Sequence, residues 1–224
     1  MIVTYTKTGL RHQSLGQNCQ DAVFYQDTPE LTFLALADGV SACENSRIGA
    51  ELACRTAAEY VINYASTFHS CDETKIAYLI LDQVRDELEN KAREMDWEPE
   101  TLASTLSFCC IRKSTREVLA FHLGDGGIYT IQERGLSMLL PTENRPAGPA
   151  NTITRNNHRA AQVRSFSLPN SARFFLCSDG MVKLLRSHPE KDALITAVEN
   201  GDFEALRPLL DRIDSSDDCS FIAC

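Results

Sequence analysis

Residues 31–39, LTFLALADG, form an apolar run typical of a buried strand that ends abruptly in an Asp-Gly pair. Three other segments approach an aspartate in a related way. They are VLAFHLGDG at residues 118–126, RFFLCSDG at residues 173–180 and SSDD at residues 215–218. Carboxylates at the mouths of separate buried strands can gather at one edge of a sheet, where they supply the hard oxygen ligands that Mg²⁺ or Mn²⁺ prefers.

Each Asp-Gly pair also fits a simple turn, because Asp bonds its own backbone and Gly accepts a positive φ. For any one of these sites alone, the turn is the better interpretation. Four such sites favour a shared cation site, since carboxylates packed within a few ångströms raise one another's pKa unless a nearby positive charge offsets them. The pattern therefore indicates a divalent metal centre.

The chain has 224 residues, of which 43% are hydrophobic and 24% are charged, a balance typical of a globular protein. We predict a single domain over residues 1–224, long enough to bury a substantial core. The formal net charge of −9 argues against nucleic acid or an acidic membrane surface as the principal partner.

The sequence predicts a cytoplasmic protein. No apolar run approaches the roughly 20 residues that span a bilayer, and Met1 leads into IVTYT without a leader-like segment. The nine cysteines are odd in number and include no C-x-x-C pair, which makes disulfide and zinc interpretations weak and favours reduced thiols.

Hydrophobic periodicity predicts an α+β sandwich with helices outside antiparallel sheets. Helices are expected from residue 45 or 46 to about 64, and over 72–95, 181–185, 189–198 and 203–213. Strands are expected over residues 1–9, 21–25, 31–37, 104–111, 117–124, 127–132, 135–140, 162–168, 172–178 and 219–224. The four strands between 104 and 140 are predicted to form one meander, and residues 141–164 a long surface excursion.

Five ordered segments resemble the metal-dependent protein serine/threonine phosphatases of the 2C family, and most closely its compact bacterial branch. They are GQNCQDA at 16–22, ALADGVS at 35–41, HLGDGGIY at 122–129, FLCSDGM at 175–181 and DDCSFIAC at 217–224. The resemblance spans residues 9–224. It implies two antiparallel sheets packed face to face with a helix layer on each side (α-β-β-α), and a metal cleft between the sheet edges.

The resemblance also implies roles for individual residues. Asp38 would bridge two Mn²⁺ or Mg²⁺ ions, and the carbonyl of Gly39 would bind one of them. Asp179 and Asp217 would complete the ligands of the first ion, and Asp125 with Asp179 would hold a third, weaker ion. Asp21 would take part in catalysis from outside the direct ligands by holding a metal-bound water.

The chain departs from the family pattern at several positions, three of which bear directly on the site. Gly16 stands where many relatives have the arginine that binds the substrate phosphate, and Val40 stands where they have an acid histidine. His12 and Arg11 are the nearby candidates to bind phosphate, and either is also compatible with a solvated or locally bonded loop residue. Lys183 replaces the aspartate expected to help hold the third ion, which places that ion in question.

The predicted activity is metal-dependent hydrolysis of phosphoserine or phosphothreonine in proteins, including the products of serine/threonine kinases in bacterial signalling. The alternative is a catalytically inactive, phosphatase-like module that binds or scaffolds a partner, which the missing arginine and histidine equivalents would favour. A third possibility, hydrolysis of a small phosphate ester, differs only in the shape of the pocket. Retention of Asp38, Asp179 and Asp217 favours an active enzyme.

Overall fold

The computed structural model of the protein confirms the α+β architecture. It describes residues 1–68, 71–133, 135–140, 150–155, 158–169 and 171–224. The strands in these ranges are β1 (Val3–Lys7), β2 (Ala22–Asp27), β3 (Leu31–Ala37), β4 (Leu106–Arg112), β5 (Glu117–Leu123), β6 (Gly127–Gln132), β7 (Gly135–Leu140), β8 (Gln162–Ser167), β9 (Arg173–Cys177) and β10 (Cys219–Ala223). They form two five-stranded sheets within the described part of the chain, ordered β1-β10-β9-β6-β7 and β2-β3-β4-β5-β8, with all pairings antiparallel.

Helices cover the outer faces of both sheets. The α-helices of the described ranges are α1 (Leu10–Ser14), α2 (Ser46–Phe68), α3 (Glu73–Met95), α4 (Asp179–Ser187), α5 (Lys191–Asn200) and α6 (Phe203–Arg212). Short 3₁₀ helices lie at Pro99–Leu102 and His158–Ala160. The two long predicted helices are confirmed, and Asp72 caps α3 by accepting hydrogen bonds from the amides of Thr74 and Lys75.

Two differences at the helices bear on the site. Helix α4 begins at Asp179, two residues before the predicted start, so that this aspartate occupies the first turn of a helix. Helix α1 was not predicted, because five residues are too few to show a 3.6-residue period.

The core consists of three apolar layers. Strand β3 shows how they form, because Phe33 and Ala35 face the α2–α3 layer while Leu34 and Leu36 face the other sheet. A third cluster fills the space between the first sheet and helices α4–α6. Burial of a side chain such as Leu34 contributes about 1.5–3 kcal/mol to stability. These layers are the predicted α-β-β-α sandwich.

The predicted meander between residues 104 and 140 is wrong. Strands β4 and β5 pair with each other in the second sheet, whereas β6 and β7 pair in the first. The chain crosses between sheets at residues 124–126, where Gly124 takes a φ of 134° that glycine tolerates. This crossing places Asp125 between the edges of the two sheets.

The predicted excursion over 141–164 overlaps a strand, since β8 begins at Gln162. Residues 141–149 of that segment lie outside the described residues. None of the helices in the described ranges combines the length and apolar character that crossing a membrane requires.

Candidate metal centre

Antiparallel pairing of β2 with β3 brings Asp21 and Asp38 together. Ala22 pairs with Ala37, so the residue before β2 and the residue after β3 lie side by side at one edge of the sheet. The backbone of Asp38 is fixed by Thr105, whose hydroxyl accepts a hydrogen bond from the Asp38 amide at 2.9 Å. The Thr105 amide donates in turn to the Asp38 carbonyl, also at 2.9 Å.

Asp125 and Asp179 reach the same place from the other sheet. Asp125 lies in the crossing turn before β6, and Asp179 follows β9, which pairs with β6 through Cys177 and Gly127. One carboxylate oxygen from each of Asp38, Asp125 and Asp179 lies within 4.8 Å of the other two. Three acidic residues far apart in sequence therefore converge between the sheet edges.

Asp217, which precedes β10, lines the same cavity as these three aspartates. The cavity has a volume of about 260 Å³, and its walls also include Arg11, Gly39, Val40, Ser41, Ala42, Thr105 and Ala150. Asp217 is paired with Lys183, whose Nζ lies 2.8 Å from Asp217 Oδ2 and 2.6 Å from Asp179 Oδ2. The walls are thus strongly acidic, with the ammonium group of Lys183 bound to two of the carboxylates.

Burial and mutual repulsion shift the acidities of these carboxylates. Burial, followed by the charges of Asp21, Asp179, Asp125 and Asp217, raises the pKa of Asp38 well above its ordinary value. Burial and the charge of Asp179 raise the pKa of Asp125 to about 6, and burial raises the pKa of Asp21 to about 7. A cation bound among them would relieve this repulsion.

The donor set fits a divalent metal ion. The groups that converge are carboxylate oxygens, which suit Mg²⁺ and Mn²⁺ better than they suit softer metals. Asp21 is only 5% exposed, and its buried carboxylate lies among the side chains of Ser178, Ser220 and Asp38.

Gly39 lies where the backbones of three segments meet. It forms an isolated antiparallel bridge with Ser104, and a Cβ at this position would lie 2.8 Å from the carbonyl oxygen of Gln20 and 2.9 Å from the carbonyl carbon of Ser46. No side chain fits in this space without a shift of the backbone. This close approach of backbones requires glycine after Asp38, whereas a preference for turns would also allow other residues.

The two candidate phosphate-binding residues on α1 differ in position. Arg11 is exposed and contributes to the cavity wall. His12 is 2% exposed and is not among the residues that line this cavity in the described ranges; its Nδ1 lies 2.9 Å from Asp218 Oδ2. The position of His12 gives no support to the predicted phosphate contact.

The structure gives Asp218 a role that the sequence did not predict. Its carboxylate is buried and accepts hydrogen bonds from the amides of Gly9 at 2.7 Å and Gln20 at 2.5 Å. Asp218 thereby ties the segment before Asp21 to the segment that carries Asp217. The Asp-Asp pair was visible in the sequence, but nothing local distinguished the carboxylate that lines the cavity from the one that holds the loops.

Comparison with known proteins decides the family. The family model described as protein phosphatase 2C matches residues 8–211. The chain belongs to the protein phosphatase 2C family. Its class of enzyme is therefore that of a protein phosphatase, as the resemblance predicted, and the family does not favour the inactive scaffold. No curated protein matches the chain in sequence.

Solved structures share the fold of this family member at low sequence identity. A structure of RsbX in complex with magnesium matches with 15% identity and a TM-score of 0.65, over 99% of this chain and 92% of RsbX. PppA, a regulatory component of the type VI secretion system (T6SS) in Pseudomonas aeruginosa, matches with 17% identity and a TM-score of 0.67, over 100% of this chain and 96% of PppA.

A third structure is the catalytic domain of the serine/threonine protein phosphatase PstP in complex with two manganese ions. It matches with 16% identity and a TM-score of 0.62, over 100% of this chain and 96% of that catalytic domain. These likenesses confirm the fold, and the magnesium and manganese ions are those of RsbX and PstP.

Proposed function

We propose that this protein phosphatase removes phosphate from phosphoserine and phosphothreonine in proteins at a centre of two divalent metal ions. The observation that supports the proposal is the convergence of Asp38, Asp125 and Asp179 within 4.8 Å. These residues come from both sheets, so the fold itself brings the carboxylates together. Retention of Asp38, Asp179 and Asp217 argues against the scaffold alternative.

Each acidic residue would have a different role in binding the ions. Asp38 would bridge both of them, Asp179 and Asp217 would complete the ligands of one, and the carbonyl of Gly39 would bind one ion. Asp125 faces Asp179 and would serve a third, weaker ion. When bound, Mn²⁺ or Mg²⁺ supplies an acidified water as nucleophile and neutralises charge on the phosphoryl oxygens.

Asp21 is suited to orient a water beside Asp38. Its carboxylate is buried and lies next to Asp38 through the β2–β3 pairing. Such a carboxylate accepts hydrogen bonds from water and restricts the direction from which the water approaches phosphorus.

We assign the contact with the substrate phosphate to Arg11. Its side chain is exposed, lines the acidic cavity and carries the guanidinium group that binds phosphate oxygens in pairs. His12 instead lies against Asp218, where we expect it to help position the loop. The substitution Arg11→Ala should raise KM for a phosphopeptide with a smaller effect on kcat, whereas Arg93→Ala, which removes a charge on exposed α3, should leave KM unchanged.

The decisive experiment measures hydrolysis of a phosphothreonine peptide and of p-nitrophenyl phosphate, with and without Mn²⁺. The wild-type protein should turn over the peptide only with metal, and Asp38→Asn should lose turnover while keeping its circular dichroism spectrum. Asp214→Asn makes the same substitution at an exposed position and is the matched control. Full activity in Asp38→Asn would refute the assignment, and metal-dependent turnover of the small ester alone would point to a different substrate class.

Three further predictions accompany this function. We propose that residues 1–224 act as one domain, which is supported by sheets that join both ends of the chain through the β1–β10 pairing. Cytoplasmic location and action on the products of serine/threonine kinases stay predictions.

A further inference from the structure

Lys183 forms ion pairs with two of the carboxylates that line the acidic cavity. It lies four residues after Asp179 on α4, a spacing that places both side chains on one face of the helix. Its Nζ contacts Asp179 Oδ2 at 2.6 Å and Asp217 Oδ2 at 2.8 Å. Asp217 belongs to a different segment, so this ammonium group bridges two carboxylates that only the tertiary fold brings together.

The ammonium group of Lys183 is bound by two carboxylates but remains accessible to solvent. Its Nζ forms ion pairs with two carboxylates at once, one from α4 and one from the segment before β10. The side chain is nevertheless 56% exposed, so it can swing into solvent without opening the core. Lys183 is therefore a charge that is bound to the site but free to leave it.

Asp179 interacts both with the other acidic residues and with Lys183. One of its oxygens is close to oxygens of Asp38 and Asp125, and its Oδ2 is bound by Lys183. Asp217, on the cavity wall, has its Oδ2 bound by the same ammonium. A divalent ion that uses both Asp179 and Asp217 must therefore replace Lys183 or accept its positive charge a few ångströms away.

We propose that Lys183 is a tethered cation that competes with the divalent ion for Asp179 and Asp217, and thereby lowers the affinity of this centre for metal. The inference rests on the proposed metal-dependent function. Lys183 would then have two effects. It holds the two carboxylates close together in metal-free protein, and it makes loading of the centre require a higher concentration of metal.

The test is a titration of purified protein with Mn²⁺, followed by isothermal calorimetry and without any substrate. Lys183→Met removes the charge and keeps an unbranched side chain suited to α4. Because a unit charge beside a divalent ion costs several RT even at high effective dielectric, we expect Lys183→Met to bind Mn²⁺ about tenfold more tightly or better. Lys183→Gln replaces it if the methionine variant does not fold.

The matched controls separate local competition from general electrostatics. Lys191→Met removes the same charge from an exposed position at the start of α5 and should leave the Mn²⁺ affinity within about twofold of wild type. Lys183→Arg keeps the charge and should stay near wild type. Equal affinity in Lys183→Met and wild type would overturn the proposal.

A second measurement uses the wild-type protein alone. Saturating Mn²⁺ should free the Lys183 amine and speed its acetylation relative to that of Lys191, read by peptide mass spectrometry. An unchanged ratio of the two rates would overturn the proposal.

The outcomes also distinguish this inference from the proposed function. If wild type binds Mn²⁺ and Asp179→Asn does not, the metal centre stands, and Lys183→Met alone decides the competition. If neither wild type nor Lys183→Met binds Mn²⁺, both proposals fail. Binding by Lys183→Met in the absence of binding by wild type would be the strongest support for competition.

Discussion

Replacing Asp218 with alanine should destabilise the protein more than any other single aspartate replacement around the cavity. The Asp218 side chain is 3% exposed, and its two oxygens accept hydrogen bonds from the amides of Gly9 and Gln20. His12 Nδ1 lies 2.9 Å from Oδ2. Truncation would leave two backbone donors without an acceptor, at least one of them buried, and would remove the group that holds three segments together.

The size of the effect follows from these contacts. A hydrogen bond to a charged acceptor contributes about 1.5–3 kcal/mol, so two such bonds give roughly 3–6 kcal/mol. Breaking a buried pair by removing one partner costs about 3–5 kcal/mol, a comparable value. We therefore expect Asp218→Ala to lower the free energy of unfolding by about 4 kcal/mol, a large part of the roughly 5–15 kcal/mol typical of a whole domain.

Urea denaturation of metal-free protein measures this loss, because metal binding would add its own stabilisation. With a slope of about 2 kcal/mol per molar urea, the unfolding midpoint should fall by about 2 M. Asp218→Asn keeps one acceptor oxygen and should lose roughly half as much. Asp214→Ala, at an exposed position in the same loop, should shift the midpoint very little.

A midpoint for Asp218→Ala that matches that of Asp214→Ala would refute the reasoning. It would mean that solvent or a shifted loop satisfies the amides of Gly9 and Gln20 at no cost. A large loss in Asp218→Ala together with none in Asp218→Asn would instead locate the effect in side-chain volume rather than in charge.

Two further predictions concern backbone space and pH. Gly180→Ala should lower the free energy of unfolding by about 3 kcal/mol or more, because its Cβ would lie 2.0 Å from the carbonyl oxygen of Asp218. Gly16→Ala should lower it by only about 1 kcal/mol, because the φ of 66° is unfavourable for alanine but no atom lies within 4 Å of the Cβ. Thermal unfolding measures both. Burial lowers the pKa of His122 to about 4, so the neutral ring contributes stability above pH 6.5 that is lost as the pH falls toward 4. Relative to His122→Gln, wild type should lose about 2–3 kcal/mol of unfolding free energy between pH 7 and 4.5 in urea titrations, and a pH-independent difference would contradict this.

Local patterns were sufficient to predict most of the secondary structure and the acidic candidates. The apolar run before Asp38 reads as a buried strand whichever sheet it joins, and the 3.6-residue period of the long helices is a property of the segment alone. The four Asp-ending segments were visible for the same reason, because each strand and its terminal aspartate are adjacent in sequence.

Assignment of strands to sheets could not be predicted in the same way. Strands β4 to β7 fit one meander or two hairpins equally well, because both arrangements satisfy the alternation of each strand and the turns between them. The choice depends on which apolar faces meet across the sandwich. That choice also decides where Asp125 lies, since it sits on the crossing between the two sheets.

The sequence by itself determined most of the helices and strands, the family resemblance and the set of carboxylates, because these depend on neighbours along the chain. Only the tertiary structure decided that Arg11 rather than His12 borders the cavity, that Asp218 ties the loops, and that Lys183 reaches Asp217 as well as Asp179. The physical reason is that charge interactions and burial depend on distances through space. A separation of 34 residues along the chain, as between Lys183 and Asp217, carries no information about such a distance until the sheets have packed.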